Sequence, residues 1–78
     1  MATPSLLCEL QPGQEAVVTA LDLSGSLRRR LLDLGLVENT PVRCLGRSAF
    51  GDPSAYLIRG AVIALRACDS RRIRVRPV

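Results

Sequence analysis

Three cysteines are the candidate thiolate metal ligands of this sequence. They are Cys8, Cys44 and Cys68, an odd number at wide spacing, and the chain contains no histidine. This arrangement fits neither a disulfide framework nor the C-x-x-C pair of a structural zinc site. We interpret the cysteines as reduced structural thiols, because a buried free cysteine behaves as a small hydrophobic residue. A three-thiolate metal site is the alternative, and it requires these distant positions to converge in space.

Residue types suited to catalysis are scarce in the chain. The absence of histidine removes the commonest general base near neutral pH. No lysine is present, which excludes Schiff-base chemistry and a phosphate-binding loop of the G-x-x-x-x-G-K-[ST] type. Four aspartates lie in separate segments with no evident pairing: Asp22, Asp33, Asp52 and Asp69. We therefore predict a protein that is not an enzyme, with no catalytic residues and no cofactor.

The net charge of +4 comes from eleven basic residues, all of them arginine. This surplus would attract an anionic partner, although charged residues also form ordinary solvated faces. Nucleic-acid binding is the less favoured outcome, because only Phe50 and Tyr56 could stack on bases. Single-strand binders use several such aromatic platforms, at about 1–3 kcal/mol for each base.

One helix is predicted, over residues 24–36. Its apolar stripe has the i, i+4, i+7 spacing of a single helix face: Leu27, Leu31 and Leu34. Ser24 or Ser26 can cap its start. Gly35 suits the left-handed position after the last turn, with Leu36 closing a Schellman motif.

A different face of this helix carries the first candidate binding surface. Leu32 lies about 140° from Leu27 on a helical wheel, beside Arg28 and Arg29. Either barrel and loop pack the helix on two sides and bury Leu32, or Leu32 contacts a partner, flanked by arginines. Arg29 and Asp33 are also spaced for a weak i, i+4 ion pair.

Five strands are predicted, and they indicate a mainly β fold. Residues 72–76 alternate strictly between arginine and apolar residues, and Gly60 supplies a sharp reversal between two other strands. The predicted strands are residues 15–21, 41–46, 55–59, 61–65 and 72–76. Residues 68–71 are long enough for one helical turn. Five short strands with one α-helix inserted after the first favour a small β-barrel whose closure removes exposed edges, forming a single domain over residues 1–78.

No apolar run reaches the roughly 20 residues that cross a bilayer. The first ten residues lack the basic start of a secretory signal and are interrupted by Pro4 and Glu9. We therefore expect a cytoplasmic protein.

Residues 30–36, R-L-L-D-L-G-L, resemble the R-L-x-x-[LM]-G-[LI] signature of the FeoA family of ferrous-iron transport accessory proteins. Further segments are similar in the same order: L-Q-P-G at 10–13, G-D-P at 51–53, I-R-G at 58–60, I-A-L-R at 63–66 and I-R-V at 73–75. The resemblance covers about residues 6–76. The chain departs from it at Glu38-Asn39, where many members have Pro-Gly, and at Ala49-Phe50, where proline is frequent. Asn39 can adopt the left-handed conformation, so we expect the turn to be kept.

The resemblance implies an SH3-like β-barrel that acts in the cytoplasm with the membrane transporter FeoB. The implied role is an adapter that binds the cytoplasmic part of FeoB and meets the membrane only through it. The candidate partner-binding residues are the helix surface around Arg28, Arg29 and Leu32, with Leu36 at its end, and the loop from Phe50 to Asp52. A metal-binding or metal-responsive regulatory module is the alternative, since the same fold resembles a domain of iron-dependent repressors. Self-association is left open.

Overall fold

A computed structural model describes residues 4–48 and 52–78 of the chain. A short 3-10 turn, Leu7–Glu9, precedes the sheet. The strands are β1 (Glu15–Leu21), β2 (Pro41–Arg47), β3 (Ser54–Ile58), β4 (Ala61–Leu65) and β5 (Ile73–Pro77), and the helices are α1 (Gly25–Asp33) and α2 (Ala67–Ser70). β1 and β4 have the predicted bounds, and the other strands differ from prediction by one residue. α1 is shorter than predicted, because its capping residues lie outside the helical hydrogen-bond pattern.

The five strands form one antiparallel sheet in the order β4-β3-β2-β1-β5. Within the described residues no ladder joins β4 to β5, so the expected closure into a hydrogen-bonded barrel is wrong. A separate segment occupies the outer edge of β5 instead: Leu6 pairs with Arg74, and the N–H of Val75 donates to the carbonyl oxygen of Ser5 at 3.0 Å. The sheet therefore has one covered edge, at β5, and one edge strand, β4.

Two bulges bend the sheet around its inner face. The register shifts between Val18 and Ala20 where β1 meets β5, and between Cys44 and Gly46 where β2 meets β3. Each shift leaves one residue without an opposite partner, which bends the strand and increases its twist. The inner face consequently wraps around a single core.

The core consists of the inward residues of all five strands, the 3-10 turn and the apolar side of α1. Its fully buried large side chains include Leu7, Leu10, Val18, Leu31, Leu36, Val42, Tyr56, Ile58 and Ile73. Leu27 and Leu34 are partly buried and pack against this cluster, which confirms the predicted apolar stripe of α1. The stripe thus fixes the helix on the sheet.

The end of α1 is the predicted Schellman motif. Gly35 has a φ of 94°, its N–H donates to the carbonyl oxygen of Leu32 at 3.0 Å, and the N–H of Leu36 donates to that of Leu31 at 2.9 Å. Ser24 occupies the N-cap position but makes no side-chain capping hydrogen bond. Asn39 has a φ of 71°, as expected for the turn before β2.

β3 and β4 form the predicted hairpin. Arg59 and Gly60 connect them with φ values of 48° and 82°, and Ile58 pairs with Ala61. Two consecutive positive φ values are the signature of a type I′ turn, whose twist matches that of the strands.

No helix in the described part of the chain is long and apolar enough to span a membrane.

Candidate partner-binding surface

The exposed side of α1 forms the candidate partner-binding surface, which we call the α1 surface and define as Arg28, Arg29 and Leu32. Both arginines are exposed, and Leu32 is half-buried. All three line an open groove beside the helix, together with Leu23 and Leu34. Leu32 is therefore neither a core residue nor an isolated surface residue. It forms part of an apolar groove with a basic rim.

The arginines of α1 form no ion pair with other residues among 4–48 and 52–78. The salt bridges of this part of the chain join Arg43 to Glu15 and Arg74 to Asp22. The predicted Arg29–Asp33 pair is not formed, because neighbours in a helix can both remain solvated at little cost in free energy. The arginines of the α1 surface are consequently not ion-paired within the described chain, although Asp33 lines the same groove.

Leu36, which was expected at the end of this surface, is fully buried. The Schellman hydrogen bond to Leu31 turns the chain inward after Gly35, so the Leu36 side chain joins the core. Contrary to the prediction, Leu36 is therefore not exposed to a partner. The Leu36 side chain instead packs in the core next to the end of α1.

Contacts that sequence reasoning missed hold this end of the helix in place. The buried hydroxyl of Thr40 donates to the carbonyl oxygen of Gly35 and accepts from the N–H of Val37, both at 3.1 Å. Arg59 Nε also donates to the Gly35 carbonyl, at 3.2 Å. The Thr40 bonds lie within the turn that follows the helix, whereas the Arg59 bond joins residues 24 positions apart, which no local sequence pattern indicates.

The second candidate surface is described only in part. Phe50 lies outside the described residues, and Asp52 is exposed. Asp52 Oδ1 accepts the backbone N–H of Ala67 at 2.8 Å. Its carboxylate therefore caps the start of α2 and attaches Asp52, just before β3, to that helix.

The cysteines occupy three different environments. Cys44 is buried, Cys8 is half-buried and Cys68 is exposed. Burial, with a smaller contribution from the Glu9 carboxylate, raises the pKa of the Cys8 thiol above its ordinary value of 9.0 and keeps it protonated at neutral pH. No group of three or more His, Cys, Asp or Glu residues that could hold a metal ion occurs in the described ranges. The thiols do not converge into a metal centre there.

Tyr56 is one of the two aromatic residues that could have stacked on bases, but only 1% of it is exposed. Burial raises the pKa of its hydroxyl, while the hydroxyls of Ser70 and Ser54 bond to it and lower that pKa. Tyr56 therefore acts as a core residue with a satisfied polar end.

The family model described as "FeoA domain" matches residues 6–77 of the chain, which is nearly all of it. The chain belongs to the FeoA family. A curated FeoA relative is the Fe(2+) transport protein A/Fe(2+) transporter FeoB fusion protein of Porphyromonas gingivalis. It is 30% identical over 69 residues, which are 88% of this chain and 8% of the relative. The chain thus spans a small part of the relative's length.

Solved FeoA structures share the fold. The FeoA protein of Chlorobium tepidum matches with a TM-score of 0.88 and 33% identity, over 94% of this chain and 70% of that one. Zinc-complexed FeoA of Stenotrophomonas maltophilia, described as an SH3 domain protein, matches with a TM-score of 0.76 and 31% identity, over 90% and 87%. The fold is accordingly SH3-like. A manganese-dependent transcriptional repressor shares the fold at 20% identity and a TM-score of 0.79, over 96% of this chain and 41% of the repressor.

Proposed function

We propose that this FeoA-family chain is a cytoplasmic accessory protein of ferrous iron uptake that binds the cytoplasmic part of FeoB through its α1 surface. The observation that carries the proposal is the half-buried Leu32 in a groove whose arginines have no ion partner in the described chain. Arginine and apolar anchors seated in a groove are typical of the residues that dominate protein interfaces. The arginines would steer an acidic partner surface toward the groove, and Leu32 would then lose its remaining contact with water.

The fusion relative supports the choice of partner. Its name places an Fe(2+) transport protein A and the transporter FeoB in one polypeptide. Covalent linkage gives two domains a high effective concentration for each other, which is useful when the domains work together. The fusion therefore supports FeoB as the partner proposed for this chain.

The mechanism proposed for this association is non-catalytic. A protein without catalytic groups can change a transporter only by binding one of its conformations more tightly than another. The chain would therefore act by shifting the population of FeoB conformations, and it needs no cofactor to do so.

The test compares two variants that make the same change in net charge. Replacing Leu32→Asp and Arg29→Glu alters the α1 surface, whereas Arg76→Glu with Val78→Asp alters exposed residues of β5 and beyond. Calorimetric titration with the cytoplasmic domain of FeoB, with GTP or GDP bound, should show at least about a tenfold loss of affinity for the first variant only. Circular dichroism would verify that both are folded. Unchanged affinity of the folded α1 variant, or an equal loss in both, would remove this surface from the mechanism.

Metal binding is a second candidate function, favoured by the zinc complex of the Stenotrophomonas maltophilia protein. Metal analysis of the purified chain, combined with thiol titration, decides it. Stoichiometric zinc or iron that is lost when the cysteines are blocked would support a metal-responsive module.

A further inference from the structure

The edge strand β4 is paired on one side only. The sheet order places it beside β3, and no other strand of the described chain pairs with it. One row of its backbone N–H and C=O groups is therefore available to a partner.

The β3–β4 turn determines which groups these are. In a hairpin with a two-residue turn, the flanking pair exchanges both hydrogen bonds, and bonded and non-bonded pairs then alternate. The flanking pair is Ile58 and Ala61, so Val62 and Ala64 belong to non-bonded pairs. Their N–H and C=O groups point away from β3, toward the open edge.

Features that usually protect an edge strand are missing from β4. Natural edges carry charged residues, proline or a bulge. The sequence of β4 is Ala-Val-Ile-Ala-Leu, and it pairs with β3 in an uninterrupted register. β5, at the other edge, carries arginines and Pro77 and is covered by the segment around Leu6. The difference indicates that the β4 edge is kept open.

The surface next to this edge is apolar. Val62 is 66% exposed and pairs with Leu57, while Ala64 pairs with Ala55 on the same outer face. The two alanines are small and leave room above the sheet. Apolar side chains of an added strand would find contacts there as well as backbone hydrogen bonds.

We propose that β4 binds, by strand addition, an extended peptide segment with an apolar centre and carboxylates at its ends. The charges near β4 favour this occupant: the strand is neutral, Arg59 lies before it and Arg66 follows it. A second copy of the chain, paired antiparallel about Ile63, would bring Arg66 opposite Gly60 and beside Arg59 of the other copy. Like charges would then oppose self-pairing.

A defined probe tests this site independently of FeoB. The probe is a short synthetic peptide of alternating Thr and Val with glutamates at both ends, and the control peptide has lysines in place of the glutamates. In ¹⁵N-¹H NMR titrations the acidic peptide should shift the amides of β4 and slow hydrogen exchange at Val62 and Ala64. The control peptide should bind at least about tenfold more weakly.

Variants separate strand addition from non-specific contact. Ala64→Pro removes an outward N–H without removing a bond to β3, and Val62→Lys adds a charge of the kind that protects edges. Each should lower affinity for the acidic peptide at least about tenfold, whereas Val37→Lys, an exposed apolar residue outside the sheet, should bind as the wild type. The Leu32→Asp, Arg29→Glu variant should also bind normally, so a failure of the α1 proposal would leave this one standing.

Three results would overturn the proposal. The first is equal binding of the acidic and basic peptides. The second is a set of peptide-induced shifts centred on α1 instead of β4. The third is concentration-dependent dimerisation, measured by sedimentation and abolished by Ala64→Pro, which would show that the occupant is a second copy.

Discussion

Gly35 ends α1 in a backbone conformation and a space that favour a residue without a side chain. Its φ of 94° lies in the left-handed region, and an added Cβ would lie 2.5 Å from Cδ of Arg59. The absence of a side chain lets Arg59 cross the helix end and bond to the Gly35 carbonyl. One glycine therefore both terminates the helix and admits the contact that holds it to the hairpin.

We expect Gly35→Ala to destabilise the protein by roughly 1–2 kcal/mol or more, since the left-handed conformation alone costs about that much for a residue with a Cβ. For a domain of this size that corresponds to a fall in Tm of about 4–8 °C per kcal/mol. Gly46→Ala is the matched control, because Gly46 has no positive φ and no atom within 4 Å of an added Cβ. Thermal denaturation showing equal Tm values for the two variants would contradict this explanation.

The ionised carboxylate of Glu9 holds the segment that covers the β5 edge of the sheet. Its carboxylate accepts the backbone N–H groups of Ser5 and Leu6, both at 2.8 Å, and these bonds hold its pKa below the ordinary value of 4.5. The same segment covers β5, since the carbonyl oxygen of Ser5 accepts the N–H of Val75. Protonation of Glu9 would weaken that cover.

The sign of the pH dependence follows from the lowered pKa. The folded chain binds this proton less readily than the unfolded chain, so the stabilisation by Glu9 is complete above pH 4.5 and is lost as the pH falls below it. We expect Glu9→Gln to flatten the acid side of the Tm–pH curve and to speed amide exchange of Val75 at neutral pH. Glu38→Gln, which also removes one exposed carboxylate, should leave the wild-type curve unchanged. Parallel curves for the wild type and Glu9→Gln would refute the link.

At the scale of elements, α2 has only four residues and depends on a partner outside itself. Such a helix makes too few internal bonds to be stable alone. Asp52 accepts the N–H of Ala67 from 15 positions away in the sequence and thereby satisfies one of its free donors. Asp52 and the start of α2 consequently support each other.

We expect Asp52→Ala to lower the free energy of unfolding by about 0.5–2 kcal/mol, the usual effect of a lost helix cap. Asp52→Asn, which keeps an acceptor oxygen, should lose less. Asp33→Ala serves as a control, because no hydrogen bond or ion pair of the Asp33 side chain occurs in the described structure. Urea denaturation would measure all three variants, and equal effects at positions 52 and 33 would argue against the capping role.

The elements that could be predicted from the sequence are those with a local signal. Leucine spacing and Gly35 fixed α1 and its end, and strict alternation indicated β5. The bonds of Arg59 and Asp52 could not be predicted, because they join residues 24 and 15 positions apart that only the folded chain brings together. For the same reason Leu36 was misplaced: a local pattern identifies a capping residue, but only tertiary packing shows that its side chain is buried.

At the scale of the whole molecule, the number of predicted strands indicated the fold class. It did not show whether the sheet closes into a barrel or leaves an edge strand. Five strands and one helix indicated a small, mainly β domain, and the resemblance to the FeoA family implied that it is SH3-like. Whether the sheet closes depends on the bends at two bulges and on the segment around Leu6, which occupies the edge of β5 that β4 would need. Neither feature has a pattern in the sequence that would distinguish an open sheet from a closed one.

The excess of arginine should make the stability of the molecule depend on salt. Its longest dimension is 31 Å, similar to the Debye length of about 30 Å at 10 mM salt, so the charges repel one another across the protein. The two ion pairs of the described chain are exposed and offset little of this repulsion.

We expect Tm to rise between about 10 and 150 mM NaCl, because the Debye length falls to about 8 Å at the higher concentration. Arg28→Gln with Arg29→Gln, which lowers the charge from +4 to +2 (4 − 2), should reduce that rise. A Tm that falls with salt would contradict the prediction.

The pairing of β1 with β5 makes the first and last strands of the sheet neighbours. During synthesis on the ribosome, β1 emerges early but cannot acquire its second neighbour until β5 has followed. Pairing across nearly the whole length of a chain also slows folding, toward the millisecond-to-second range of all-β domains. The nascent domain should thus remain incomplete, and accessible to chaperones and proteases, until translation of its final strand.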